Sequence, residues 1–157
     1  MGVEILIVDD HEIVRDGVRS LIKELRPEWQ ICGEATNGSD AIEMVRNHKP
    51  DVVVLDIVMP NMTGFEAASR ISQLGLGCRV LLFTMHESGR LTAEARRAGA
   101  QGYVLKSQAS RHLILAIDRL LAGKNFFSRA EDETESEEGP APTGGLRFCL
   151  GLGLCAA

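Results

Sequence analysis

Apolar side chains occur in two rhythms along the first 128 residues. Short continuous runs appear as VEILIV (3–8), QICGEA (30–35), DVVVL (51–55), RVLLFT (79–84) and GYVL (102–105). Between these runs, apolar positions recur every three or four residues. Ile13, Val14, Val18, Leu21, Ile22 and Leu25 form one such stripe, with Gly17 in it, and Pro27 stops it. Ala41, Ile42 and Val45 form a second, ended by His48-Lys49-Pro50, and Phe65, Ala68, Ile71 and Leu74 a third, ended by Gly75 and Gly77. A weaker stripe covers Leu91, Ala95 and Ala98 before Gly99. The last runs from Leu113 to Leu121 and closes at Gly123. Period near 3.6 marks helices that bury one face, and short unbroken apolar runs mark strands buried on both faces.

Five strands alternating with five helices predict right-handed crossovers and a parallel sheet covered on both sides, an open doubly wound α/β fold. In such folds a site lies beyond the carboxyl ends of the strands, where the winding direction reverses. Those ends are where chemistry is to be sought.

Strand 1 ends on Asp9-Asp10 and strand 3 on Asp56; strand 4 ends on Thr84, and strand 5 leads through Tyr103 to Lys106. If strands 1 and 3 are neighbours, three carboxylates converge. Three close acids repel one another, and one or more would stay protonated unless a cation intervened. Oxygen donors suit Mg²⁺, which keeps several waters beside one or two carboxylates. Asp56 would then be both ligand and nucleophile, since carboxylates accept phosphoryl groups as aspartyl-phosphate. The transferring group needs its oxygens neutralised, a task that the metal, the Lys106 ammonium and the Thr84 hydroxyl could share. Each residue also has a bland reading. Asp9-Asp10 could cap a helix and Asp56 could be a turn residue. Thr84 could be an ordinary strand-end hydroxyl and Lys106 a solvated lysine. The coincidence of all five at strand ends favours a site.

Charge narrows the partners. Residues 129–157 carry six acids against two bases, −4 of the chain's −5, which leaves −1 for residues 1–128. Neither part has the basic excess that holds nucleic acid through its phosphates, so this chain alone is not expected to bind it. No apolar run approaches the ~20 residues a membrane span needs, and MGVEILIVDD is acidic where a secretory signal is basic; a cytoplasmic location is expected. Cys32, Cys78, Cys149 and Cys155 form no CxxC pair and read as free thiols.

The blocks ILIVDDHEIVRDGVRSLI, PDVVVLDIVMPNMTGFE, VLLFTMHE and EARRAGAQGYVLKS resemble the receiver domain of bacterial two-component response regulators. The likeness covers about residues 3–127, and VDDHE, GFEAA and GAQGYVLK are most similar to the NarL/LuxR-like branch. It implies a flavodoxin-like five-stranded sheet in the order 2-1-3-4-5. Asp56 would be the phosphoacceptor. Asp10, Asp56 and the backbone carbonyl of Val58 would bind Mg²⁺ (or Mn²⁺), with Asp9 acting largely through a bound water. Thr84 would move toward the attached phosphoryl group, Tyr103 would turn inward, and Lys106 would pair with Asp56. The donor would be a phosphohistidine on a sensor histidine kinase. The receiver would catalyse its own phosphorylation and slow hydrolysis without being a conventional turnover enzyme. A homodimer on phosphorylation is a common outcome in such regulators.

Three local departures stand out. Met85 is bulkier than the small residue common after the threonine, Val58 presents no polar side chain, and Ser107 stands where many receivers have proline. A cis Lys106–Ser107 bond would cost ~3 kcal/mol without proline, so a trans bond or a different loop is expected. Members of this branch usually continue into a helix-turn-helix domain that binds DNA. Here residues 129–157 read as an acidic stretch, a PAPTGG linker and a glycine-interrupted apolar end. They are expected to form a flexible tail with no domain, the DNA-binding domain being absent.

Two other functions compete. A receiver that works by docking alone would lack Mg²⁺ binding. A small-molecule phosphohydrolase would typically carry a second acid two residues after the nucleophile, and here Ile57 and Val58 follow Asp56.

Overall fold

The computed structural model of the protein describes residues 2–127. Strands β1 (Glu4–Val8), β2 (Gln30–Ala35), β3 (Val52–Asp56), β4 (Arg79–Thr84), β5 (Gly102–Leu105) and β6 (Phe126–Phe127) form one sheet in the order β2-β1-β3-β4-β5-β6. Every neighbouring pair is parallel. Helices α1 (Glu12–Leu25), α2 (Gly38–His48), α3 (Gly64–Gln73), α4 (Leu91–Arg97) and α5 (Ala109–Leu121) alternate with the strands, and a 3-10 turn at Lys106–Gln108 joins β5 to α5.

The sheet explains why its central strands are apolar throughout. In β1, Leu6 and Val8 join a core built with residues of α2, α3 and α4, whereas Ile5 and Ile7 join a second core with residues of α1 and α5. The same alternation divides Val53 and Leu55 from Val52 and Val54 in β3. Both faces are dry, so period-2 polarity has no place there. Each such buried aliphatic side chain contributes roughly 1.5–3 kcal/mol. β2, at the sheet edge, is only half-buried along most of its length.

Local signals set the helix limits. The Asn37 side chain accepts a hydrogen bond from the Asp40 N–H at 2.8 Å and so caps α2. The Thr63 hydroxyl does the same for α3 through the Glu66 N–H at 3.2 Å. α4 stops at Gly99, whose φ of 89° an L side chain rarely adopts. Arg26, just after α1, reaches Asp118 of α5 at 2.7 Å and ties those two helices together.

One expectation needs correction. The described residues contain six strands, not five, because Phe126 and Phe127 pair with Gly102 and Tyr103. Two residues cannot display a strand period. The remaining order, 2-1-3-4-5, is as the receiver resemblance implies. The expected tail and the boundary at residue 128 lie outside the described residues. Among the described residues, no helix is long and apolar enough to cross a membrane.

Candidate functional site

Register brings the acids together. Val8 pairs with Leu55, so the residues that follow them, Asp9 and Asp56, emerge side by side at the carboxyl ends of adjacent strands. Both are nearly inaccessible, at 1% and 4% exposure, while Asp10 faces solvent. Arg15 of α1 holds the turn by donating to the Asp9 carbonyl at 2.7 Å and to Glu34 at 2.9 Å. The α1 N-cap is His11, so neither aspartate fills that position.

Two strands away, Leu105 pairs with Thr84, and the next residue, Lys106, reaches back across β4. Its Nζ lies 5.8 Å from the Phe83 ring centroid, 2.7 Å from Asp9 Oδ2 and 3.3 Å from Asp56 Oδ1. The Lys106–Ser107 bond is trans, since no described peptide bond is cis.

A close backbone approach shapes the loop after Asp56. The Gly64 N–H donates to the Ile57 carbonyl at 2.7 Å, which closes residues 57–64 into a compact turn. A Cβ on Gly64 would stand 2.2 Å from the Asp56 carbonyl oxygen, so only glycine fits. The turn delivers the Val58 N–H to the Asp56 carboxylate. The Val58 side chain itself is 72% exposed.

Burial, and then the Asp9 charge, push the Asp56 carboxyl above its usual range; Lys106 and the Val58 N–H oppose this. Asp9 Oδ2 is buried, and its close contact is the Lys106 ammonium at 2.7 Å. Lys106 is one charge facing two buried acids and exposed Asp10. Atoms of Asp9, Asp10, His11 and Asp56 able to ligate a metal lie within 4.8 Å of one another. That oxygen-dominated, electron-rich set fits a hard divalent cation.

Thr84 is buried at β4's end, and its hydroxyl is engaged with the loop, donating to the His86 carbonyl at 3.4 Å and accepting from the His86 N–H at 3.3 Å. Tyr103 is fully buried, its ring 5.9 Å from that of Phe127. Met85, which follows Thr84, is 68% exposed. The structure therefore gathers Asp9, Asp10, Asp56 and Lys106 tightly, sets Val58 and Thr84 at the rim, and places Tyr103 under α4.

His11 is the residue that strand-end reasoning missed. Its Nδ1 lies 3.2 Å from Asp9 Oδ1 and 3.1 Å from Asp10 Oδ1. It follows the two acids directly in DDHE, so its position was readable, but nothing in the sequence showed the chain turning back on itself there.

The fold and site define a doubly wound protein with an acid-and-lysine centre at its topological switch point. Residues 5–118 match the response regulator receiver domain family, and the chain belongs to it. It falls near the NarL/LuxR-like members. The nitrate/nitrite response regulator protein NarL of Escherichia coli K12 is 37% identical over 128 residues, which are 80% of this chain and 58% of that protein. Response regulator UvrY of the same strain is 32% identical over 126 residues, covering 80% and 57%. The chain thus spans little more than half the length of these relatives. Among solved structures, a LuxR-family two-component response regulator from Aurantimonas sp. SI85-9A1 aligns with a TM-score of 0.78 at 39% identity, over 88% of this chain and 99% of that one. The signal receiver domain of the putative response regulator NarL from Mycobacterium tuberculosis aligns at 0.73 and 32%, over 78% and 98%.

Proposed function

We propose that residues 1–128 are a phosphoacceptor receiver, in which Asp56 takes a phosphoryl group from a phosphohistidine of a sensor kinase. An Asp56 carboxylate oxygen attacks phosphorus, the phosphorus–nitrogen bond breaks, and the histidine leaves with the electron pair. The observation that carries this reading is the Lys106 ammonium held between Asp9 and Asp56 beside a cluster of metal-ligating atoms.

Asp10, Asp56 and the Val58 carbonyl would hold Mg²⁺, with Asp9 acting through a water. The ion supplies charge neutralisation at the phosphoryl oxygens. Lys106, already within ion-pair reach of Asp56, shifts onto a phosphoryl oxygen when the carboxylate becomes an acyl phosphate. Thr84 must exchange its His86 contacts for the phosphoryl group. That exchange is the local event from which a change on the α4, β5 and α5 surface starts, with Tyr103 held inward. Homodimerisation through that surface on phosphorylation would then be one output.

The test is to incubate the protein with Mg²⁺ and acetyl phosphate and weigh it intact. One added phosphoryl group is expected, absent in Asp56→Asn. An unchanged mass with several donors would leave only docking without turnover.

A further inference from the structure

Strand β6 is held by contacts that two residues of sheet do not require. The Phe126 N–H donates to the Gln101 carbonyl at 3.0 Å, and Phe126 and Phe127 pair with Gly102 and Tyr103. A Cβ on Gly102 would lie 2.0 Å from the Phe126 carbonyl oxygen, so β6 can seat only because position 102 is glycine. Helices grip both rings. From α4, the Arg96 guanidinium lies 4.4 Å above the Phe127 ring; from α5, Arg119 lies 6.0 Å from the Phe126 ring and the His112 ring meets it edge-on at 5.8 Å. Phe127 is buried against Tyr103.

The strand that β6 covers is the one that ends at the site. β5 runs from Gly102 to Leu105, and the next residue carries the ammonium that pairs with Asp9 and Asp56. Lys106 is thus one short strand away from the β6 contact at Gly102. We infer that β6 is a latch on β5: its docking positions Tyr103 and Lys106, and occupation of the acidic site in turn tightens β6.

A latch must be able to open. β6 is a two-residue strand at the sheet edge and has few ladder hydrogen bonds. Short edge elements of this kind open at a small fraction of global stability. A ligand shifts such an equilibrium only through contacts that differ between its two states, and Lys106 supplies that difference because its backbone continues β5. Reciprocity follows: the factor by which site occupancy suppresses β6 opening equals the factor by which undocking β6 weakens site binding. Whatever chain is attached beyond Phe127 is thereby joined to the site by a lever.

Hydrogen exchange on the full chain, with and without Mg²⁺ plus beryllofluoride as a phosphoryl mimic, tests this. Exchange at the Phe126 amide, which donates to the Gln101 carbonyl, should slow about fivefold on binding. By titration calorimetry, Phe127→Ala and Arg96→Gln should weaken beryllofluoride binding by a similar factor. Arg97→Gln, an exposed neighbour on the same helix, should leave it unchanged. Unaltered β6 exchange, or equal affinities for the Phe127 and Arg97 variants, would overturn the latch. The ligand arms rest on the proposed function, but a further arm needs no ligand. Asp9→Asn removes the nearer of the two carboxylates that hold Lys106, 2.7 Å from its Nζ, and should by itself speed exchange at the Phe126 amide. Failure of wild type to bind Mg²⁺ would sink the phosphoacceptor reading, and the Asp9→Asn exchange rate would still decide the latch, an unchanged rate overturning it.

Discussion

Lys106 stands closer to Asp9 than to Asp56: its Nζ is 2.7 Å from the first and 3.3 Å from the second. The ammonium is thus committed mainly to the acid that closes β1, while the acid that ends β3 is left partly uncompensated. The proposed phosphoacceptor role would use this arrangement: Asp56 would be free to leave the lysine while Asp9 keeps it in place.

That asymmetry is measurable. Lys106→Met should lower the unfolding free energy of the metal-free protein by about 3 kcal/mol, because it strands two buried carboxylates. Double-mutant cycles from urea denaturation should give a larger coupling for Lys106 with Asp9 than for Lys106 with Asp56. Equal couplings would contradict the geometry.

Asp56 should cost the empty protein stability. Its folded-state pKa is raised, chiefly by burial and then by Asp9, so the native state binds the proton more tightly than the unfolded chain. Its contribution to stability is therefore greatest below the ordinary carboxylate range and falls as pH climbs through the raised value. Without divalent cation at neutral pH, Asp56→Asn should be more stable than wild type, by on the order of 1 kcal/mol. The gap should shrink on acidification. Mg²⁺ should raise the melting temperature of wild type and do much less for Asp56→Asn. A wild type more stable than the variant in chelator would refute this.

Much of this is legible in the sequence, for physical reasons that differ by element. β3 is readable because VVVL is buried on both faces, and Asp9, Asp56, Thr84 and Lys106 because strand ends in a doubly wound sheet converge. Other features depend on contacts between distant segments. β6 has two residues and no period, and it exists because Gly102 leaves room for Phe126. Thr84's engagement with His86 is a rotamer and loop property that no pattern encodes. The weight of Gly64 comes from the Asp56 backbone pressed against it, a contact no local pattern displays.

Cys78 should be inert in the native state. Burial, with nearby Asp51 adding to it, pushes its thiol up to about 12, so almost no thiolate exists at pH 8. Iodoacetamide at pH 8, followed by peptide mass mapping, should find Cys78 unmodified in the native protein and modified fully in denaturant. Rapid native modification of Cys78 would mean that the lower end of the sheet beside β4 opens readily.

Two glycines should respond oppositely to the same substitution. At Gly64 an added methyl would meet the Asp56 carbonyl oxygen at 2.2 Å and the Ile57 Cα at 2.6 Å, both backbone atoms. The loop after β3 must shift, and with it the Val58 N–H that supports the Asp56 carboxylate. Gly64→Ala should cost about 2 kcal/mol of stability and weaken Mg²⁺ binding, since ligand geometry and fold share that backbone. Gly17 lies inside α1, exposed, and a methyl added there would meet nothing within 4 Å. Alanine at this position removes unfolded-chain freedom and improves helix propensity, so Gly17→Ala should stabilise by about 0.5–1 kcal/mol and leave Mg²⁺ affinity unchanged. Urea denaturation and metal titration on the two variants would separate a glycine kept for close packing at the site from one that α1 does not need.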